Sequence, residues 1–257
     1  MKISDVIRPI GIGVTNPYII ELDNKKKYVA KFPGNPEGDR ALINEYVCAE
    51  LAKIFELPIP NYELVTINDI ESFEQKLPNI KMVNGTVFCS ERMESVEPVL
   101  DYYVLTRVKN KEAVLKTLIF DIIIGNDDRN PGNFLVNFKN QSFVIIDHSH
   151  VFNKGVLWNA KSLEELIDTK IDVSKMKKRS FEISIQMLNI INYEKVIEKY
   201  KEKIRSIKEE NIINIIENIP QDWTISAEEK KNLIDFLMNR ISRIDEICNL
   251  ILNGRSE

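Results

Sequence analysis

The stretch Gly125-Asn126-Asp127-Asp128-Arg129-Asn130-Pro131-Gly132-Asn133 leads into an apolar run, Phe134 to Phe138. After Lys139-Asn140-Gln141 a second run, Phe143 to Ile146, ends at Asp147. Two short apolar runs around a polar turn predict a β-hairpin. A hairpin returns its two termini to the same end of the sheet. Asn133, which opens the first strand, and Asp147, which closes the second, are therefore brought together although distant in sequence. Asp128 precedes Asn133 on the incoming loop. The same residue types also make an ordinary surface turn, so the loop gains its meaning from what lies upstream.

Moving a phosphoryl group from ATP requires a carboxylate to orient the attacking hydroxyl and oxygen ligands to hold Mg²⁺ on the phosphates. Mg²⁺ keeps several of its waters, so one carboxylate and one amide carbonyl can complete the protein's share. Asp128 suits the first task, and Asn133 with Asp147 suits the second.

Near the N-terminus, Gly11-Ile12-Gly13-Val14-Thr15-Asn16 precedes Pro17 to Leu22, a turn over Asp23 to Lys26, and the run Lys27 to Phe32. This predicts a glycine-containing loop followed by a hairpin, with Lys31 at the far end of its second strand. Glu45 follows in a segment whose apolar positions 47, 51, 54 and 55 predict one face of a helix that stops before Pro58 and Pro60. A strand lysine paired with a helical glutamate holds a cation against the α and β phosphates in protein kinases. Each element is common by itself, and their order is the informative part.

The segments Thr15-Asn16-Pro17-Tyr18, Val29-Ala30-Lys31-Phe32, Asn44-Glu45-Tyr46, Asp128 to Asn133 and Ile146 to Phe152 resemble the HipA-like kinases, in particular their short members. The resemblance implies an α+β, bilobal, protein-kinase-like fold. Residues 1–89 would form an N-lobe of antiparallel sheet plus helix, 90–93 a hinge, and 94–257 a mainly helical C-lobe carrying the catalytic loop and metal-binding hairpin. It also implies roles. Asp128 matches the catalytic aspartate, Asn133 and Asp147 the metal ligands, and Lys31 the phosphate-binding lysine paired with Glu45. Gly11, Gly13, Thr15 and Asn16 would cover the phosphates, and the backbone of Glu91, Arg92 and Met93 would face adenine. The implied ligands are ATP and Mg²⁺. The implied acceptor is a Ser/Thr protein substrate, with autophosphorylation near Thr15 and a neutralising or regulatory protein as a further partner. Three departures stand out: Asp-Arg-Asn in place of His-Arg-Asp, His148-Ser149 after the metal aspartate in place of Phe-Gly, and no third glycine in the phosphate loop.

Composition bounds the remaining classes. The 257 residues, 44% hydrophobic, suit one bilobal unit or two small domains. A net charge of −4 provides no global basic field for nucleic acid. The basic cluster Lys175 to Arg179 reads as a solvated helix face, with docking of an acidic substrate as the other reading. Cys48, Cys89 and Cys248 show no paired spacing and read as core thiols of a reducing compartment. Met1 to Gly13 lacks a signal-peptide core, and Leu118 to Ile124 is short and interrupted by Asp121, so no membrane span and a cytoplasmic location are expected.

Elsewhere, Asn84-Gly85 between Ile80–Val83 and Thr86–Cys89 predicts a hairpin closing the N-lobe. Between Leu64 and Pro78 the acid-rich stretch has no clear period and reads as a loop or short strand. Residues 111–124 predict a buried helix feeding the catalytic loop. Ser226 to Glu229 has capping-box spacing, followed by an apolar stripe ending at Gly254. Trp223 reads as a core anchor, and the Lys-, Glu- and Ile-rich stretch 192–218 as helical core or a partner groove. Three alternatives to a kinase acting on protein remain. One is a phosphoinositide or small-molecule acceptor, and another a nucleotide-binding pseudokinase serving as an interaction module. The third is a transition-metal site built on His148 and His150 beside Asp147. Hydrolysis through a serine elbow lacks the required motif.

Overall fold

The computed structural model describes residues 1–99 and 101–253. Its first half is built on strands β1 (Ile3–Pro9), β2 (Tyr18–Leu22), β3 (Lys27–Lys31), β4 (Tyr62–Ile67) and β5 (Gly85–Glu91), with helix α1 (Asp39–Ile54) between β3 and β4. The sheet is antiparallel in the order β1-β2-β3-β5-β4. The β2–β3 hairpin forms as expected, with Tyr18 opposite Ala30 and Glu21 opposite Lys27. Lys25 takes a positive φ in its turn.

The expected Asn84-Gly85 hairpin does not form. β5 lies between β3 and β4, so both its edges are already paired, with Ile67 opposite Gly85 and Lys31 opposite Phe88. Residues 80–83 instead run beside the β3–α1 loop, where Lys81 N–H donates to Gly34 O at 3.1 Å. Asn84 caps a short 3₁₀ helix (Ile70–Lys76), its Oδ1 accepting from Ile70 N–H at 2.9 Å. The stretch read as a loop or short strand overlaps the end of β4, the actual partner of β5.

A second sheet joins β6 (Val96–Pro98), β7 (Phe134–Asn137) and β8 (Ser142–Ile145). β7 and β8 are the hairpin expected at 134–146, with Phe134 opposite Ile145. Around it pack α2 (Tyr102–Leu105), α3 (Glu112–Ile123), α4 (Ala160–Ile167), α5 (Lys178–Gln186), α6 (Tyr193–Arg205), α7 (Glu209–Glu217), α8 (Ala227–Ser242) and α9 (Ile244–Asn253). Ser226 and Glu229 form the reciprocal capping box, and the stripe beyond it breaks at Arg243 into two helices. Gly254, its expected end, lies outside the described residues. The stretch 192–218 is α6 and α7, whose Ile204, Ile212, Ile215 and Ile216 are core residues. Among the described residues no helix is long and apolar enough to cross a membrane.

Two apolar clusters divide the interior. The smaller fills the first sheet around Tyr18, Phe32, Val65 and Val87. The larger joins the helices to α1, which contributes Leu42, Val47, Cys48 and Leu51, with Phe55 just beyond its end. α1 is buried around most of its circumference, more than the single face read from its sequence. Further bonds hold it to the helical half. Arg40 pairs with Glu229, Thr224 N–H donates to Asp39 Oδ2 at 3.0 Å, and Tyr200 Oη donates to Phe55 O at 3.0 Å. Trp223, 2% exposed, donates from Nε1 to Thr86 O at 2.9 Å and bridges the helical half to β5.

Candidate active site

Lys31 ends β3, Glu45 lies in the second turn of α1, and Asp147 follows β8. The fold brings all three together. Lys31 Nζ donates to Glu45 and, at 2.8 Å, to Asp147 Oδ1. Lys31 and Glu45 are buried, whereas the Asp147 side chain is 40% exposed. Burial opposes the lysine's charge, but Asp147 and Glu45 more than offset it and raise its pKa above the ordinary lysine value. Burial likewise raises Asp147, yet the Lys31 ammonium prevails and holds the carboxyl well below the usual carboxylate range. Glu45 is raised, by burial first and by Asp147 after it.

Asp147 has φ 58°, a left-handed conformation unusual for a residue with a side chain. Ser149 helps hold it there, donating from Oγ to Asp147 Oδ1 at 2.8 Å. Ile146 N–H donates to Asn133 O at 3.1 Å, so Asn133 and Asp147 stand at neighbouring positions where the hairpin closes. Asn133 ends a single 3₁₀ turn opened by Pro131 and capped by Asn130, whose Oδ1 accepts from Gly132 N–H. An amide carbonyl and an ionised, solvent-facing carboxylate at one hairpin end make a donor set of the type that Mg²⁺ takes.

Asp128, on the loop that leads to Asn133, has a side chain 44% exposed. Its Oδ2 lies 3.6 Å from His150 Nδ1, and His150 Nε2 lies 2.5 Å from Glu37 Oε1. Lys177 Nζ is 3.3 Å from the other oxygen, Oδ1. Lys177 precedes α5, so this part of the basic cluster is not the solvated helix face that the sequence suggested.

The loop is held from beneath by residues that sequence reasoning passed over. Arg129, 2% exposed, bonds Asp121 twice, Nε to Oδ2 and Nη2 to Oδ1, both at 2.9 Å. It also donates from Nη1 to Ile146 O at 2.6 Å. Asn126 Nδ2 donates to Asp121 Oδ1 at 2.9 Å, and Asn126 Oδ1 accepts from Asp128 N–H at 3.0 Å. The available signal is Asp121 itself, an acid inside an otherwise apolar helix. Asn44 is the second omission. Its Nδ2 donates to Ser149 O at 2.6 Å and Gly155 O at 2.9 Å, while Oδ1 accepts from Trp158 Nε1 at 2.8 Å. It therefore ties α1, one residue before Glu45, to the segment after Asp147.

The two histidines do not form a shared metal face. His148 is buried against Arg129 Nη2 at 2.8 Å, and burial followed by the Arg129 charge drives its pKa well below the ordinary value. His150 instead faces Glu37 and Asp128. Among the described residues no group of three or more His, Cys, Asp and Glu side chains makes a metal cage.

Gly11 and Gly13 take positive φ in the loop between β1 and β2, which leaves Ile12 and Val14 exposed and Thr15 only 2% exposed. Asn16 N–H closes the loop onto Gly13 O at 3.1 Å, and its Nδ2 donates to Asn79 O at 3.4 Å. At the other end of the sheet, Glu91 N–H donates to Asn61 O at 2.7 Å and Arg92 N–H to Lys27 O at 2.8 Å. Glu91 also pairs with Lys26 at 2.8 Å. A groove of about 590 Å³ lined by Lys27, Asn61, Glu91, Met93 and Asn137 opens there, apart from Asp128, Asn133 and Asp147.

A sequence model of HipA-like kinases matches residues 3–249. The chain belongs to the HipA-like kinases. Among solved structures, this HipA-like kinase is similar to the Helicobacter pylori proinflammatory kinase CtkA, with 18% identity over 97% of this chain and 96% of that one and a TM-score of 0.58. It is similar to HipA of Shewanella oneidensis, solved with HipB and operator DNA, at 12% identity over 100% and 69% of the two chains and a TM-score of 0.53. A Golgi casein kinase follows at 11% identity, 96% and 73% coverage and a TM-score of 0.50. These likenesses establish the protein-kinase-like α+β fold. No curated protein matches this HipA-like kinase.

Proposed function

We propose that this HipA-like kinase is an ATP- and Mg²⁺-dependent phosphotransferase acting on a Ser/Thr hydroxyl of a protein, with residues 90–93 as its hinge. The observation that carries this reading is the convergence of Lys31 on both Glu45 and Asp147, from strand, helix and hairpin end. Lys31 would hold the α and β phosphates, Asn133 and Asp147 the metal, and Gly11, Gly13, Thr15 and Asn16 the cover over them. Bound Mg²⁺ supplies charge neutralisation on the phosphate oxygens. Asp128 orients the acceptor hydroxyl and takes its proton as the new O–P bond forms. The bond from the γ-phosphorus to the bridging oxygen breaks, and its electron pair departs with ADP. Glu91 and Arg92 already spend their N–H groups inside the protein, which leaves carbonyls of this segment and the Met93 amide for adenine. The Shewanella HipA belongs to a toxin–antitoxin system with HipB, and a neutralising protein is the partner class that this reading admits.

The test is incubation with γ-labelled ATP and Mg²⁺, wild type beside Asp128→Asn, following label on protein and ATP consumption. Transfer in the wild type alone, with nucleotide binding retained by the variant, is the expected outcome. Equal loss of binding and transfer in a folded Asp128→Asn protein would sink the assignment of Asp128. Tight ATP binding without turnover in either protein would favour a nucleotide-sensing pseudokinase.

A further inference from the structure

Negative charge spreads over the equatorial oxygens of a phosphoryl group in transit, and sites that speed its transfer aim cations at them. The catalytic loop has no cation to spare. Arg129, its one basic residue between Asp128 and Asn133, is buried and committed to Asp121 and Ile146 O. Lys31 is committed to Glu45 and Asp147. A cation does reach Asp128 from a distant segment, the one that joins α4 to α5.

That segment is a built turn. Ile171 anchors it in the core. Ser174 N–H and Oγ both donate to Asp172 Oδ1, at 2.9 and 2.6 Å, and Met176 N–H donates to Val173 O at 3.1 Å. Lys177 O then accepts from Ser180 and Phe181 N–H, both at 3.1 Å, so the residue is fixed at its backbone while its side chain stays 54% exposed. Its Nζ lies 3.3 Å from Asp128 Oδ1, and the neighbouring Lys178 instead extends along α5 to Glu182 at 3.8 Å. An ion pair between half-exposed groups is weak, and an ammonium on a flexible four-carbon stem can change partners at little cost.

Resting on the reading of Asp128 as the catalytic carboxylate, we infer that Lys177 is a further catalytic residue, the cation that neutralises the transferred phosphoryl group. It pairs with Asp128 before the acceptor binds. When the acceptor hydroxyl takes its place on the carboxylate, Lys177 moves to an equatorial oxygen of the γ-phosphoryl group. The loop between α4 and α5 thereby supplies a charge that the Asp128–Asn133 loop lacks.

The experiment measures kcat and KM for ATP, nucleotide affinity by direct binding, and thermal melting for full-length wild type, Lys177→Ala, Lys177→Gln, Lys177→Arg, Lys178→Ala and Asp128→Asn. Both neutral variants are expected to lose about 10²-fold in kcat while ATP affinity and melting stay near wild type. Lys177→Arg should recover most of the rate, and Lys178→Ala should behave as wild type. Unchanged kcat in the neutral variants, a loss confined to ATP binding, or a gain in rate that makes Lys177 a blocking group would each overturn the inference. Wild-type turnover that needs Asp128 but ignores Lys177 defeats this inference alone. A wild type that binds ATP and transfers nothing defeats the underlying reading and this inference with it.

Discussion

Asp121 and Arg129 are each at most 2% exposed, so their charges persist only through one another and through Asn126, His148 and Ile146 O. Removing one partner strands the other in a medium that cannot solvate it. Asp121→Ala should therefore cost about 3–5 kcal/mol of unfolding free energy, read as a lowered urea midpoint. The double variant Asp121→Leu, Arg129→Met should regain much of that stability, since an apolar pair of similar volume is often tolerated. It should not regain transfer, because the Arg129 bond that holds the loop to Ile146 O is then gone. Stability and transfer recovering together would mean that the network serves stability alone. At this scale the order of residue types in the sequence pointed to Lys31, Glu45, Asp128, Asn133 and Asp147 as site candidates, of which the fold joins Lys31, Glu45 and Asp147 by direct bonds. It hid the contacts of Asp121, Asn44 and Lys177, whose partners only the folded chain brings near.

Elements formed where their local signals were strong. The 134–146 hairpin, α3 and the capping box of α8 match their sequence patterns closely. Asn84-Gly85 misled because its turn chemistry is real but its preceding segment has no free strand edge to join, β5 being paired on both sides. β4 left only a weak signal, a loop or short strand without bounds, because acidic residues follow it and only part of its face is buried. Caps and tertiary staples should separate in mutants. Ser226→Ala removes the capping box and should cost about 1 kcal/mol with transfer unchanged. Asn44→Ala leaves the Trp158 N–H and two backbone carbonyls without their partner and should cost about 1–3 kcal/mol. Because Asn44 adjoins Glu45, that variant should also bind ATP less tightly. Calorimetric titration of both variants tests this, and equal ATP affinity would place Asn44 outside the site's support.

For the molecule as a whole, the two cores can be followed through its thiols. Cys89 belongs to the sheet core, and Cys48 and Cys248 to the helical one. Burial raises all three thiols, Cys248 to about 12 and Cys48 well above its ordinary value. Since the thiolate is the reactive form, native protein at pH 8 should resist thiol labelling until urea opens it. A proton that the unfolded chain releases near pH 8.5 is retained by the native state, so stability falls as pH rises beyond that value. The loss should reach about 1.4 kcal/mol per pH unit for each thiol. Comparing urea midpoints at pH 8 and pH 9.5 for wild type and a triple Cys→Ala variant tests it, and identical pH slopes would refute it. The burial of α1 in the helical core also bears on control. An effector that withdrew Glu45 from Lys31 would have to populate a conformer in which Asn44, Arg40 and Phe55 had surrendered their partners. Reversing a 1:99 ratio of conformers requires a ligand with about a 10⁴-fold preference for the rarer one. With α1 anchored to the helical half, modest effectors act more readily on the exposed glycine loop or on access to Asp128 than on the population of Glu45-withdrawn molecules.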